Sequence, residues 1–481
     1  MKQSLANLYL PDSLWRIMKG EEKCGKLRDG YYSSQVKELS AELGSLREKC
    51  RKSARSNRAI LRQEILELKA QLDEAKQEEL RQKAYNINRG KINLDIEGKI
   101  IKGHSAYVTC NVETMLVSQI IKLELRRSYK LYPSDMNVIV EQVKGLLDSP
   151  MPKVVIRADI HHFFESIPQQ PIVQKLIDDG FVSRQTFKYL KGILFKYNKL
   201  ASNKQAVGLP RGLSFSSHLS ELYMLPIDEL IKKINGVYYY KRYVDDIIIV
   251  ADPSICSTDS YWELLKNILE DKELHLHEES EKKYVNVWDA HTQEANFEYL
   301  GYRFACNNGK LRVYLSQKRF DKYKILINAI FEIYAQCSHY RTLKVAFHKD
   351  NGSKYVKTDA LRQLLDRLDV LTSNSLLSGR KNYVATGVYY SNKHLTDFSQ
   401  LDFLDRYLQE KVNDRNSFNP PSNLFNYGEN NGYDENLELI KKRLCEFSFR
   451  KGYEERKLHK NGHFGHVLLE LQRIYHSKVN K

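Results

Sequence analysis

The sequence has no Cys-x-x-Cys pair, and its seven cysteines lie singly at positions 24, 50, 110, 256, 306, 337 and 445. This scatter supports neither a zinc ribbon nor a disulfide scaffold. The chain also lacks any uninterrupted run of 18 apolar residues, and its first residues lack the apolar stretch and cleavage site of a secretory signal. We therefore expect a soluble, cytoplasmic protein with no membrane partner.

Acidic residues are too few to balance the basic ones. The 76 Lys and Arg against 60 Asp and Glu give a formal charge of +16 over 481 residues. Such a balance favours a polyanionic partner, bound through salt-sensitive phosphate contacts. The chain is long enough for two to four domains. Its 31 tyrosines and 18 phenylalanines suit stacking on unpaired bases, although most of these rings would serve the cores.

Two adjacent carboxylates stand between two strand-like runs. Tyr243-Val244-Asp245-Asp246 lies between Val237 to Tyr240 and Ile247 to Val250, which are rich in aromatic and β-branched residues. The pattern predicts a hairpin with both carboxylates at its tip. Since neighbouring side chains of an extended chain point to opposite faces, the turn must redirect one carboxylate if both are to reach one metal site. A solvated Asp-Asp turn is the alternative.

A third carboxylate ends an earlier buried strand. Val154 to Ile160 reads as that strand, and Asp159 stands at its end. A strand-end carboxylate and a hairpin-tip carboxylate are what a two-metal phosphoryl-transfer site requires, with cations about 3.5–4 Å apart. Between the acidic motifs, residues 208–217 read Gly-Leu-Pro-Arg-Gly-Leu-Ser-Phe-Ser-Ser. In this order of three elements the chain resembles reverse transcriptases.

The middle element departs from the family's usual pattern. That pattern is Pro-Gln-Gly-x-x-x-Ser-Pro leading into a helix, but Arg211 replaces the glutamine here and Ser217 replaces the last proline. These departures argue against ordinary retroviral and group II intron enzymes. The glycines would let the backbone approach the template base pair and the nucleotide without a Cβ clash. The resemblance implies that five residues of these motifs contact the substrate: Gly208, Pro210, Arg211, Gly212 and Tyr243.

Two later segments complete the family's order. Leu274 to Lys283 resembles the lysine motif, in which one lysine lies near the nucleotide phosphates, and spacing favours Lys282 over Lys283. Phe297 to Phe304 resembles the Tyr-Leu-Gly hairpin that supports the primer end. The resemblance assigns that role to Tyr299, Leu300 and Gly301, although packing is the better expectation for the first two.

The resemblance also implies catalytic roles. Asp159, Asp245 and Asp246 would hold two Mg²⁺ ions, with the Ile160 carbonyl as a further ligand and Lys282 as a fourth catalytic residue. Phe164 lies five residues after Asp159, where the family carries an aromatic steric gate against the 2′-hydroxyl.

Three neighbours of the gate are interpreted differently. The resemblance also assigns Phe163 to the substrate site. The residue itself is expected to face the core, because successive residues of a strand point to alternate faces. His161 and His162 are interpreted as loop histidines, since no Cys/His cluster accompanies them.

The N-terminal region is rich in Lys, Arg, Glu and Gln, with no proline over residues 33–90. Apolar residues step by three and four along two seams, Val36 to Cys50 and Ile65 to Ala75, which the polar patch Ser53 to Arg58 interrupts. The chain either folds back there as a helical hairpin or pairs as one long helix with another subunit. A homo-oligomer is favoured, because exposed seams of this length need a partner. A helical layer on the chain's own palm is the other alternative.

The predicted fold class is α+β, a right-hand polymerase with N-terminal long helices or a coiled coil and a helical C-terminal region. The predicted domains are an N-terminal region at 1–90, fingers at 91–150, a palm at 151–305 with a fingers insertion at about 171–205, a thumb at 306–400 and a C-terminal region at 401–481.

Several smaller features are also predicted. The fingers hairpin would turn at Asp95 to Gly98 and present Lys99 and Lys102 to triphosphate. Ser134 or Asp135 would cap a helix after Pro133. A basic helix would begin near Leu315. Core positions are expected at Leu361, Leu364, Leu365 and Leu368, and a loop or linker at Asn416 to Asn431.

The functional hypothesis is an RNA-directed DNA polymerase in bacterial antiphage defence. Leu371 to Asn374 and Thr386 to Asn392 resemble C-terminal segments of bacterial defence-associated reverse transcriptases, the abortive-infection relatives included. The resemblance implies a dedicated non-coding RNA as template, deoxynucleotides as substrates and a DNA product. Two alternatives stay open: a template-independent polymerase, protein-primed in one version, and a non-catalytic RNA-binding scaffold. Three costly clustered carboxylates argue against the scaffold.

Overall fold

Each of two structural units is built from two separate stretches of the chain. The first unit combines Met1–Ser134 with Val155–Val285, and the second combines Asp135–Val154 with Asn286–Lys481. These boundaries divide both the predicted fingers and the predicted palm, so the predicted domain limits stay predictions. The computed structural model describes residues 8–23, 31–53, 57–101, 103–132, 134–201, 208–279, 282–289, 295–307, 309–336, 342–345, 354–357, 359–378, 383–414, 416–418, 433–459 and 462–479.

The first unit begins with three helices, α1 (Pro11–Lys23), α2 (Ser34–Lys52) and α3 (Arg58–Asn88). Helices α2 and α3 pack against each other as a hairpin that reverses at the predicted polar patch. Glu79 near the end of α3 accepts hydrogen bonds from the backbone and hydroxyl of Ser33 at the start of α2. The fold-back alternative is therefore the one that the chain adopts.

Both predicted seams face inward in this hairpin. Val36, Leu43 and Leu72 are buried, and the other seam residues are half-buried. The argument for a homo-oligomer from an exposed seam is therefore wrong, because the seams cover each other within one chain. Self-association itself stays a prediction.

The fingers hairpin has its turn later than predicted. Strands β1 (Ile96–Ile101) and β2 (His104–Thr109) pair with Ile101 opposite His104, so the chain reverses after Ile101 and not at Asp95 to Gly98. Gly103 has φ 76°, which glycine adopts without strain, whereas Gly98 lies inside β1 opposite Tyr107. Lys102 lies outside the described residues. Lys99 pairs with Glu97 at 2.6 Å, so contact with triphosphate is not supported for it here.

The remaining elements before the predicted palm are two helices. Helix α4 (Val112–Ser128) is buried along most of its first turns, and α5 (Met136–Leu147) belongs to the second unit. The predicted cap of α5 is Asp135, whose carboxylate accepts from the Asn137 amide at 2.9 Å.

The three carboxylates predicted to bind metal lie on or beside a four-stranded sheet with the order β4-β5-β3-β6. Along the chain its strands and surrounding helices are β3 (Lys153–Asp159), α6 (Phe163–Ser166), α7 (Gln169–Asp179), α8 (Arg184–Ala201), α9 (Ser216–Lys232), β4 (Val237–Tyr243), β5 (Asp246–Ala251), α10 (Thr258–Glu270) and β6 (Tyr284–Trp288). The inner strands β3 and β5 carry nearly continuous apolar runs, and Ile247 to Ala251 are buried throughout. Such runs suit strands covered on both faces.

The first turn of helix α9 contains a histidine whose charged form the fold disfavours. Burial, reinforced by Lys122 and Arg126, lowers the pKa of His218 to about 4. Because the folded pKa lies below the unfolded value, the stability this group contributes is present above pH 6.5 and is lost as pH falls towards 4.

We expect the free energy of unfolding of the His218→Gln variant to fall less between pH 7 and pH 4, by about 1–2 kcal/mol once solvent screening of this half-buried side chain is allowed for. Urea unfolding between pH 7 and 4 measures it. His275→Gln, at a side chain that is 66% exposed, is the matched control. An acid loss that persists in the His218 variant would contradict the assignment.

The second unit combines small sheets with helices. It contains β7 (Ala295–Tyr299), β8 (Tyr302–Asn307), β9 (Lys310–Leu315), α11 (Gln317–Gln336), β10 (Thr342–Val345), β11 (Lys354–Lys357), α12 (Asp359–Thr372), β12 (Asn374–Ser378), β13 (Tyr383–Gly387), α13 (Ser399–Asn413), α14 (Tyr433–Cys445), α15 (Phe449–Glu455), β14 (Leu458–His459) and α16 (Gly462–Val479). Strands β7, β8 and β9 form one sheet, β13, β12 and β14 a second, and β10 and β11 a third.

Several predictions about this unit are confirmed. Helix α11 starts two residues after Leu315, as the basic segment predicted. Leu361, Leu364 and Leu368 are buried in α12, while Leu365 is half-buried. Of the predicted linker at 416–431, residues 419–431 lie outside the described residues. No helix among the described residues is both long and apolar enough to cross a membrane.

Candidate active site

The Asp245-Asp246 turn is a two-residue hairpin loop. Tyr243 pairs with Asp246 across β4 and β5, so Val244 and Asp245 form the loop. Val244 has φ 63° and Asp245 does not, which is the pattern of a type II′ turn that normally places glycine first. A β-branched residue in this region is strained by roughly 1–3 kcal/mol. This turn supplies the change of direction that two adjacent carboxylates require.

A buried arginine holds the strained turn in place. Arg242 donates to the Val244 carbonyl at 2.7 Å, and its side chain is only 4% exposed. Its guanidinium also pairs with Glu221 at 2.8 Å and with Asp228 at 3.0 Å, both on α9. Because two carboxylates satisfy this buried charge, the turn is fastened to the helix that follows the glycine-rich element.

The third carboxylate is tied to the same turn. Asp159 ends β3, and the next amide, Ile160 N–H, donates to the Asp245 carbonyl at 3.2 Å. On its other side the Asp159 carbonyl accepts from the His277 amide at 2.9 Å. The end of β3 and the tip of the β4–β5 hairpin are therefore joined by a backbone hydrogen bond.

The carboxylates are partly buried and repel one another. Burial raises the pKa of Asp245, and the nearby Asp159 raises it further. Burial likewise raises the pKa of Asp246 to about 6, although Arg157 opposes this from 3.1 Å. Such shifts are typical of carboxylates placed together for metal or proton chemistry.

Cationic side chains engage two of the three carboxylates. Lys282 Nζ lies 3.2 Å from an Asp159 oxygen and 2.9 Å from His277 Nε2. Lys283 instead pairs with Glu278 at 3.0 Å and lies 4.0 Å above the Trp262 ring. The structure therefore brings Lys282, and not Lys283, to the carboxylates.

The side chains fit a divalent cation by chemistry rather than as a preformed cage. Within the part of the chain that the structure describes, no group of three or more His, Cys, Asp or Glu side chains is gathered for a metal ion. Asp159 and Asp246 each contact a cation of the protein instead. Carboxylate oxygens are the ligands that Mg²⁺ prefers, and added positive charge would relieve their repulsion. The Ile160 carbonyl stays a predicted ligand.

The predicted gate residue, Phe164, packs against the glycine-rich element. The Phe164 carbonyl accepts from the Leu209 amide at 2.7 Å, and a Cβ on Gly208 would lie 2.3 Å from the carbonyl oxygens of Phe164 and Glu165. Gly208 is thus required for close packing within the chain. The predicted approach of this glycine to substrate stays a prediction.

The next glycine has the same kind of role. Gly212 has φ 99°, and a Cβ there would lie 2.7 Å from the Tyr107 carbonyl oxygen. Pro210 is buried and accepts from the Ser216 hydroxyl at 2.6 Å, at the start of α9. The predicted helix after this element is therefore confirmed.

The unusual Arg211 is engaged on three sides. Its side chain pairs with Glu165 at 3.3 Å and lies 5.7 Å from the centre of the Phe164 ring. Its carbonyl accepts from the Tyr107 amide at 2.7 Å. Phe164 is half-buried, whereas Phe163 is 1% exposed. The core placement of Phe163 is confirmed, but it arises because the residue starts α6 and not because a strand alternates, and it leaves no surface for substrate.

The predicted primer-support hairpin lies in the second unit. Tyr299 pairs with Tyr302, and Leu300 and Gly301 have φ 47° and 81°, as in a type I′ turn. Arg319 donates to the Leu300 carbonyl at 3.4 Å and lies 4.8 Å from the Tyr302 ring centre. Tyr299 is buried at 1% exposure, which confirms the expected packing role. Primer contact stays a prediction.

Sequence reasoning missed four residues that organise the site: Arg157, Glu165, Arg242 and His277. A signal existed for Arg242, because Tyr240 and Arg242 alternate on the buried face of β4 while Glu221 and Asp228 share one face of α9. For the other three the partners lie far apart in sequence, and no local pattern indicates them.

The three carboxylates lie within a part of the chain that matches a known family. Residues 107–304 match the family described as reverse transcriptase (RNA-dependent DNA polymerase). Residues 107–304 therefore form a reverse transcriptase domain, the domain of RNA-directed DNA polymerases, which are nucleotidyltransferases. Domains of this family use divalent metal ions. No curated protein matches the chain.

Solved structures resemble it only weakly. Telomerase from Candida albicans, in complex with a fragment of telomeric RNA, is 16% identical with a TM-score of 0.29, over 45% of this chain and 41% of its own. Apo telomerase from Candida tropicalis is 12% identical with a TM-score of 0.29, over 42% and 45%. A structure described as an RdRp complex is 10% identical with a TM-score of 0.35, over 64% and 31%. This chain thus spans less than half of each.

Proposed function

We propose that this protein is an RNA-directed DNA polymerase that copies a non-coding RNA with two Mg²⁺ ions. The observation that supports this most directly is the hydrogen bond from Ile160 to Asp245, which holds the end of β3 against the acidic turn. It joins the two distant segments that carry the three carboxylates, and Lys282 lies 3.2 Å from Asp159. A scaffold that only bound RNA would have no use for carboxylates with raised pKa values.

The residues have distinct roles in this proposal. Asp159, Asp245 and Asp246, with the Ile160 carbonyl, would hold the ions, which activate the attacking hydroxyl and neutralise charge on the leaving pyrophosphate. Arg242 fixes the turn that aims the two adjacent carboxylates. Lys282 supplies positive charge at the phosphates. Close backbone packing at Gly208 and Gly212 keeps Arg211 beside Phe164.

Primer extension tests the proposal. The purified chain, a DNA or RNA primer and a defined RNA template should yield DNA complementary to that template, and EDTA should stop it. Product of unrelated sequence, formed equally without template, would contradict templated synthesis and favour the template-independent alternative. If no primer, template or divalent metal gives any product, the non-catalytic RNA-binding scaffold is the alternative that remains.

Sugar selection gives a sharper test of the gate. We expect Phe164→Ala to reduce discrimination against ribonucleotides by roughly 10- to 200-fold, because the ring no longer clashes with a 2′-hydroxyl. Competition between matched ribo- and deoxynucleotides in single-turnover extension measures the ratio. Phe164→Tyr keeps the ring and is the matched control. An unchanged ratio in the alanine variant would place the gate elsewhere.

The biological setting is proposed to be bacterial antiphage defence. Its support is the resemblance of two C-terminal segments, Leu371 to Asn374 and Thr386 to Asn392, to defence-associated reverse transcriptases. Phage plating on bacteria that carry the gene should fall relative to bacteria that carry a catalytic-site variant. Equal plating across a broad phage panel would contradict this role. Sequencing the RNA and DNA that co-purify would identify the template.

A homo-oligomer is proposed as well, on the charge and length of the N-terminal hairpin rather than on an exposed seam. Light scattering at micromolar concentration tests it, and a monomeric mass would rule it out.

A further inference from the structure

Helix α8 differs from the other long helices of the first unit in its charge. It carries Arg184, Lys188, Lys191, Lys196 and Lys199 and no acidic residue at all. The longer α3 balances its basic residues with as many acidic ones. A run of like charges on one helix repels itself, so an external anion would stabilise it.

The buried face of α8 is well defined. Its buried residues are Thr186, Tyr189, Leu190, Ile193, Leu194, Tyr197 and Ala201, and the helix packs against α4 and β1. Gly192 lets it approach closely, since a Cβ there would lie 2.6 Å from Leu94 Cδ1. The helix is therefore fixed in rotation, and its outer face is set.

That outer face combines lysines with an exposed ring. Lys188, Lys191, Phe195 and Lys199 recur at steps of three and four and are all exposed. The Phe195 ring is 59% exposed, and Lys199 Nζ lies 4.6 Å from its centre. Lys191 lies 5.7 Å from the Phe187 ring. A hydrophobic ring between cations matches the two needs of an unpaired nucleotide, a stacking surface and phosphate neutralisation.

We propose that this face of α8 binds single-stranded RNA, with phosphates on Lys188, Lys191 and Lys199 and an unpaired base on Phe195. The proposal deepens the proposed function, since it adds a binding surface for the RNA outside the copied base pairs. An acidic protein segment would satisfy the lysines but has no base to stack on the ring.

Fluorescence anisotropy with a labelled single-stranded RNA of about 20 nucleotides tests the surface. The triple variant Lys188→Ala, Lys191→Ala, Lys199→Ala should weaken binding and reduce the slope of log affinity against log salt by about 2, as three lost contacts to a single strand predict. Phe195→Ala should weaken binding by about tenfold or more with an unchanged salt slope, and Phe195→Trp should restore it.

Two controls separate this face from the protein's general positive charge. Lys37→Ala, Arg62→Ala, Lys69→Ala removes the same charge from exposed positions of α2 and α3. An equal loss of affinity and slope in that variant would overturn the proposal. On a fully paired RNA hairpin, Phe195→Ala should have no effect. If it weakens duplex and single strand alike, or neither, the assignment to an unpaired base is wrong.

The assay contains no primer and no nucleotide, so it does not depend on catalysis. A negative result would leave the polymerase proposal standing, and a chain that fails to polymerise could still show the predicted binding. Thermal unfolding of each variant confirms that these exposed substitutions leave the fold intact.

Discussion

Replacing Asp245 and Asp246 together by asparagine is expected to abolish nucleotide incorporation and leave the chain folded. Metal ions contribute several kcal/mol of charge stabilisation in such a site, which corresponds to a loss of at least about 10³-fold. Asparagine at position 246 retains an oxygen acceptor for Arg157, which lies 3.1 Å from Asp246 Oδ1. Single-turnover extension of a labelled primer measures the loss.

The fold should tolerate this change because it holds the native carboxylates in surroundings that disfavour their charged form. Burial raises the pKa of Asp245 and raises that of Asp246 to about 6. A raised carboxyl pKa means that the fold loses stability as pH rises through that value. The neutral variant should therefore unfold no more easily than the native chain at pH 7, as thermal unfolding in EDTA measures.

A matched control lies at the other end of the same strand pair. Asp252 follows β5, and its carboxylate accepts from the Ser254 amide at 2.8 Å, a bond that asparagine can keep. Asp252→Asn should extend primers normally. Incorporation that survives in the Asp245/Asp246 variant would contradict the catalytic assignment, whereas loss in both variants would point to damage of the sheet.

Local patterns account for the parts of the site that could be predicted. Continuous apolar runs mark β3 and β5. Asp159 follows the first run and Asp246 precedes the second, which fixes where the carboxylates emerge. The helix after the glycine-rich element was expected from the resemblance to reverse transcriptases. In each case the signal and the structure occupy the same few residues.

The predictions were wrong where the local sequence allowed more than one turn position or more than one partner for a helix. Asp95 to Gly98 has turn chemistry, but β1 continues to Ile101, which pairs with His104, and this register places Gly98 inside the strand opposite Tyr107. The two apolar seams carry no information about whether they meet in one chain or in two. The register of the strand pair decides the first, and the packing of α2 on α3 decides the second.

Ion pairs between distant segments were equally invisible. Arg157 pairs with Asp246 and Glu165 pairs with Arg211, and no periodicity relates these positions. Both pairs lie beside residues that sequence reasoning did find. The departure of Arg211 from the family's glutamine was noticed, but only the structure gives it a partner.

The predicted choice between adjacent lysines can be decided by mutation. Lys282 Nζ lies 3.2 Å from Asp159, and its side chain is 41% exposed, so it can move towards a bound nucleotide. Lys283 pairs with Glu278, which is 55% exposed, and such pairs contribute at most about 1 kcal/mol. We expect Lys282→Ala to lower kcat for incorporation and Lys283→Ala to change it by less than about tenfold.

The size of the effect and a second substitution tell two roles of Lys282 apart. If the ammonium donates its proton to the leaving pyrophosphate oxygen, Lys282→Ala should lower kcat by about 10²–10⁴-fold. Lys282→Arg should then stay slow, because a guanidinium does not release its proton, while KM for the nucleotide is retained. If the lysine acts by charge alone, arginine should restore kcat. Equal rates for native, Lys282→Ala and Lys283→Ala chains would exclude both roles and leave Lys282 as a partner of Asp159 only.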